Sequence, residues 1–160
     1  MQKISLICVG KLKEPFYAAA VAEYQKRLTR HCKLEILELP EQRLGDDPSP
    51  AEVEQALARE AAVIEEKLPR SATLIAMCIE GKLLSSTELS ETITRLGATG
   101  SSQLVFLIGG SFGLHPRIKE QAALRLSMSP MTFPHHLARV MLLEQIYRAH
   151  KINAGEKYHK

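Results

Sequence analysis

LVFLIGGSFGL, residues 104–114, is an uninterrupted apolar run that empties into a glycine loop. A run without polar alternation reads as a strand buried on both faces, which places it inside a parallel sheet covered by helices. The segments on either side agree. Lys3 to Val9 (KISLICV) reads as a first strand, Lys33 to Leu39 as a second and Thr73 to Ile79 (TLIAMCI) as a third, with a short fifth strand over Arg125 to Met128. Between them lie segments of helical period. Pro15 opens a helix with Phe16, Ala20, Tyr24 and Leu28 at a spacing of four. Ser49-Pro50-Ala51-Glu52 combines a cap, a proline at the first helical position and a capping box, ahead of the stripe Val53, Ala56, Leu57, Ala61, Ile64 and Leu68. Ser86 to Leu96 is a shorter helix ended by Gly97, Gly97 to Ser102 a loop, and Pro116 to Leu124 another helix. The expected fold is a single α/β domain over residues 1–160, an open and mostly parallel sheet with helices on both faces.

In such sheets ligands bind at the carboxyl ends of strands, so the loops there matter most. Glu80-Gly81-Lys82 is the expected loop after the third strand. The loop after the fourth, Gly109-Gly110-Ser111-Phe112-Gly113, lacks the G-x-G-x-x-G spacing and trailing acid of a dinucleotide site, and it lacks the lysine of a P-loop. It is either a place where a ligand meets the backbone closely or a tight turn with structural glycines. A third loop, Ser127 to Phe133, offers hydroxyls and backbone groups before Pro134. Proline at the first helical position would leave N–H groups free for a polar ligand, with Thr132 as a possible cap. A well-capped helix is the plainer reading of the same residues.

The helix from Pro134 to about Lys151 carries Leu137, Val140, Met141 and Tyr147 on one face and Leu143, Ile146 and Ala149 on another. Apolar cover over that much of its circumference predicts both a core contact and a homodimer interface. Arg139, Glu144, Gln145 and Arg148 are its polar exceptions, with Glu144 and Arg148 spaced for an ion pair. His135 and His136 are adjacent and point in different directions, and neither has a partner at i+4, so no metal site is expected. The chain then ends in Tyr158, His159 and Lys160, a grouping suited to stacking on a base and contacting phosphate.

Composition narrows the class. The three cysteines are odd in number, and Cys8 and Cys78 fall in apolar strands, which suits a reduced compartment. No apolar run approaches the ~18 residues of a membrane span, and ISLICVG is followed at once by Lys11, Lys13 and Glu14 rather than by a cleavage site. The expectation is a soluble, cytoplasmic protein with no membrane contact. Residues 111–160 hold 8 Lys/Arg against 3 Asp/Glu, whereas residues 1–110 hold 13 against 15, and five of the six histidines lie in the former part. That asymmetry is either a polyanion-binding region or a solvated basic face.

KISLICVGKLKE, EGKLLSS, IGGSFGL, SMSPMTFPHHLARVMLLEQIYRAHKI and GEKYHK, in this order over nearly the whole chain, resemble the ribosomal RNA large-subunit methyltransferase H family, the smallest kind of SPOUT methyltransferase. The resemblance implies an S-adenosylmethionine-dependent enzyme that methylates N3 of a pseudouridine in helix 69 of 23S ribosomal RNA, on the assembled ribosome. It implies a homodimer and a C-terminal trefoil knot that forms the cofactor site. Carried over by position, the cofactor residues are Met77, Gly109, Met128, Ser129, Pro130, Met131, Thr132 and Phe133. Pro130 takes one backbone donor out of the third loop. His159 is the candidate base for the N3 proton, Lys160 or Arg139 the cation for the resulting anion or for phosphate, and Tyr158 a stacking or hydrogen-bonding group. In the family, the tail of one subunit is held to reach the cofactor of the other. Two other classes fit the composition: a non-catalytic ribosome-associated RNA-binding protein and a nucleotide-binding regulatory domain.

Overall fold

The computed structural model describes residues 1–99 and 103–160. Five strands, β1 (Lys3–Val9), β2 (Lys33–Leu39), β3 (Thr73–Leu83), β4 (Gln103–Ile108) and β5 (Leu124–Ser127), form one sheet in the order β2-β1-β4-β3-β5. Every pairing is parallel. The five helices are α1 (Pro15–Leu28), α2 (Pro50–Lys67), α3 (Ser86–Ala98), α4 (Pro116–Gln121) and α5 (His135–Asn153).

Side chains alternate across the sheet, so one strand feeds two cores. Ile4, Leu6 and Cys8 of β1, with Leu104, Phe106 and Ile108 of β4, pack beneath α1, α3 and α5. Ile7 and Val9, with Val105 and Leu107, face Ala61 and Ile64 of α2 and Ile118 of α4. The apolar run of β4 is thus explained: both of its faces are covered. Two capping boxes start helices, at Ser49/Glu52 as expected and at Ser85/Glu88.

Several expectations change. On α1 the inward stripe is Tyr17, Val21, Tyr24 and Leu28, and Phe16 faces solvent, because the helix rests on α5 along a line one residue further on. The segment Glu80-Gly81-Lys82 is no loop. β3 continues through it to Leu83, with a register shift between Met77 and Lys82 against β5. A Cβ at Gly81 would lie 2.8 Å from the backbone of Arg125 and Leu126, so the strands can meet there only at glycine. α3 runs through Gly97 to Ala98, and the rest of the expected loop, residues 100–102, lies outside the described residues. α4 stops at Gln121, three residues early, which frees Leu124 to begin β5.

Candidate active site

The carboxyl ends of β3, β4 and β5 open into a cleft of ≈ 770 Å³, within the usual range of small-molecule sites. Three segments far apart in sequence line it: Met77 to Glu80, Ile108 to Leu114, and the loop from Leu126 through Phe133. The first turn of α5 closes one side with His135 and Ala138. Of the expected cofactor residues, Met77, Gly109, Met128, Ser129, Met131, Thr132 and Phe133 are on these walls, while Pro130 of the same loop is not among the lining residues. Sequence reasoning missed Ile79, Lys119 and His135 and took in Phe112 only as part of the glycine loop. Met131 is 73% exposed, Ile79 55% and Phe112 51%, apolar side chains left in water at a cleft mouth. Such surface is what a flat aromatic ligand would cover.

The glycine loop is fastened to itself and to a neighbour. Gly110 bridges Gly113, whose N–H donates to the Gly110 carbonyl at 3.1 Å with φ +79° at Gly113. A Cβ on Gly109 would stand 2.5 Å from the Gly113 carbonyl oxygen. The tight-turn alternative applies, since the turn needs bare glycine for its own closure, and the closed turn forms a wall of the cleft. Glu41, just past β2, accepts the Ser111 N–H at 2.8 Å. In the third loop the Ser127 hydroxyl donates to the Ser129 carbonyl at 3.1 Å, and the Ser129 hydroxyl accepts the Met131 N–H at 3.0 Å. Pro134 occupies the cap position of α5, not its first turn, and no side chain caps the helix. The expected Thr132 cap is thereby corrected: Pro134 is itself extended and sets the helix start one residue later.

Arg139 is 1% exposed. Its Nη1 donates to Glu38 Oε2 at 2.6 Å and its Nη2 to the Gly10 carbonyl at 3.2 Å, so the guanidinium pins α5 to the end of β1. The Leu12 N–H meets the same Glu38 oxygen at 2.9 Å. Burial pulls the Glu38 carboxyl upward, but the hydrogen bonds from Arg139 and Leu12 outweigh it and hold the group below its ordinary range. His135 and His136 do not diverge as expected. Both Nε2 atoms face the bare side of Gly10, 3.7 and 4.0 Å from where its Cβ would be, and the rings meet edge to face at 4.3 Å. Burial, then the neighbouring His136, holds His135 below its ordinary pKa. Among the described residues no group of three His, Cys, Asp or Glu side chains could hold a metal.

The tail folds onto its own helix, away from its own cleft. Tyr158 donates to Glu144 Oε1 at 3.2 Å, its ring meets Tyr147 edge-on at 5.0 Å, and Arg148 lies 4.7 Å over the ring. Arg148 also holds Glu144 at 2.6 Å and approaches His159 Nδ1 at 3.2 Å. These contacts begin at Glu144, about 1.7 turns along α5 from Ala138, its last residue on the cleft wall. The basic surplus of the last segment is mostly paired: Arg117, Lys119, Arg139, Arg148 and Lys151 each meet a glutamate. No helix among the described residues is long and apolar enough to cross a membrane.

Residues 2–159 match the family described as predicted SPOUT methyltransferase. A protein of Bifidobacterium adolescentis named ribosomal RNA large subunit methyltransferase H is 50% identical over 99% of both chains. Proteins of the same name from Clostridium novyi, 48% identical over 98% of this chain and 99% of theirs, and Streptococcus equi subsp. zooepidemicus, 46% identical over 99% of both, are similarly close. Among solved structures, the SpoU methyltransferase AviRb from Streptomyces viridochromogenes in complex with AdoMet is similar at a TM-score of 0.48 and 12% identity, covering 98% of this chain and 60% of that one.

Proposed function

The chain belongs to the SPOUT methyltransferase family, alongside the ribosomal RNA large subunit methyltransferases H, and from that premise we propose that it methylates N3 of a pseudouridine in helix 69 of 23S ribosomal RNA, on the assembled ribosome, with S-adenosylmethionine as donor. The single observation that carries this reading is the meeting of Met77, Gly109 and the Met128–Phe133 loop on one cleft. The cleft fits an adenosine-sized group: its volume suffices, Ile79, Phe112 and Met131 supply uncovered apolar walls, and the glycine turn admits backbone contact. S-adenosylmethionine, when bound, supplies the electrophilic methyl on its sulfonium.

The protein's part is alignment and the handling of one proton. Met77, Met128, Met131 and Phe133 wall the donor, while Ser129 and Thr132 offer polar groups beside it. We read the C-terminal region, β4 to α5, as the trefoil knot of the family, and α5 as part of a homodimer interface. We read the tail, which packs on its own α5, as serving the cleft of the other subunit. There His159 accepts the N3 proton, Lys160 steadies the anion or a phosphate, and Tyr158 stacks on the base. Arg139 acts by position, since its guanidinium is committed to Glu38 and Gly10.

Calorimetric titration with S-adenosylmethionine, followed by mass spectrometry of 23S ribosomal RNA after incubation with ribosomes lacking the modification, tests this assignment. One methyl on the helix 69 pseudouridine is expected. Binding of ATP in place of S-adenosylmethionine, or RNA binding without methylation, would overturn it.

A further inference from the structure

The walls of the cleft contain one carboxylate, Glu80, and one ammonium, Lys119, among the described lining residues. The two come from opposite sides, β3 and α4, and meet in an ion pair. Glu80 is held below its ordinary pKa, first by the hydrogen bond from Lys119. The Glu80 side chain is 58% exposed and that of Lys119 22%, and a pair with one open partner contributes modestly to folding. Between Met77 and Lys82 the ladder to β5 breaks register, and the irregular stretch carries Glu80 to the cleft. Irregularities of this kind re-aim side chains beside sites.

We propose that Glu80 and Lys119 recognise the amino-acid end of the donor: Lys119 takes its α-carboxylate and Glu80 its α-ammonium. The assignment rests on the cofactor reading of the cleft. A zwitterion entering between the two side chains leaves each with an opposite charge and forms charge-assisted hydrogen bonds on both sides. The apolar walls at Ile79, Phe112 and Met131 then hold the nucleoside, so affinity divides between an uncharged part and a zwitterionic part.

Two ligands separate those parts. S-adenosylhomocysteine carries the amino acid, and 5′-methylthioadenosine keeps the same thioadenosine with only a methyl in its place. Calorimetry on the full chain should show S-adenosylhomocysteine bound about tenfold more tightly or better. Lys119→Met should bring it to within about threefold of 5′-methylthioadenosine without changing the latter, Lys119→Arg should keep the preference, and the isosteric Glu80→Gln should reduce it. Glu80→Gln carries the test should Lys119→Met fail to fold. An unchanged ratio of the two affinities in Glu80→Gln and any folded Lys119→Met would overturn the pair's role while leaving the cleft assignment standing. Failure of the wild type to bind either ligand would overturn both.

Discussion

Arg139 and Glu38 show how much one residue can hold. Arg139→Ala removes two hydrogen bonds and a buried side chain, and leaves Glu38 with the Leu12 N–H and water. The expected loss is about 3 kcal/mol, the low end for a broken buried pair, because the Glu38 side chain is itself 34% exposed. An unchanged urea midpoint would rule this out. The sign with pH is fixed by the depressed Glu38 group: its contribution is present above the ordinary 4.5 and is lost as pH falls through the lower folded value. Arg139→Ala should therefore be less acid-sensitive below that point, measured as midpoint against pH. Gly109→Ala would drive a methyl to 2.5 Å from the Gly113 carbonyl. A destabilisation of about 1–3 kcal/mol and weaker donor binding are expected together in thermal melts and calorimetry; a variant with normal values of both would remove the turn from the site. Gly109 was legible because its glycine follows a buried strand. Arg139 was only half legible, since helical spacing locates a cation but cannot say that a strand end waits opposite it.

Among the elements, α5 joins cleft and tail and carries two histidines, His135 and His150, held below their ordinary pKa. His150 is held below the ordinary 6.5 mainly by burial, with its bond to the Ile146 carbonyl opposing and His31 adding to the shift. A histidine kept neutral in the fold gives stability that is present above 6.5 and declines as pH falls through its folded value. Replacing it, His150→Gln, should flatten the fall of the melting temperature below pH 6.5; a slope equal to wild type would exclude His150 as its source. Strand and helix identities could be read from period and caps, as at Ser49/Glu52. The long β3 could not, because EGK has the composition of a turn and only the arrival of β5 alongside makes it a strand. The start of β5 is set by its pairing with β3, remote in sequence, whereas that of α5 is set locally by the extended backbone of Pro134.

For the whole molecule the decisive matter is where the tail works. Deleting Tyr158 to Lys160 should leave S-adenosylmethionine affinity within about threefold and reduce methyl transfer roughly a hundredfold or more. Unchanged turnover on unmodified ribosomes would refute the tail's role. Mixing tail-less subunits with subunits carrying Gly109→Trp should restore activity in heterodimers if one subunit's tail serves the other's cleft; silence of that mixture, with dimers present by sedimentation, would place the tail's work within one chain. The charge asymmetry of the sequence did not survive folding intact, since acids from earlier segments return to pair with Arg117, Lys119 and Arg139. The same return of early chain to late chain has a further consequence at Glu41, whose carboxylate fixes the glycine turn from a segment that forms no part of the cleft wall. If the proposed donor site is right, substitution in the stretch after β2, as in Glu41→Ala, should loosen the glycine turn and weaken S-adenosylmethionine binding in calorimetry while every cleft residue stays the same.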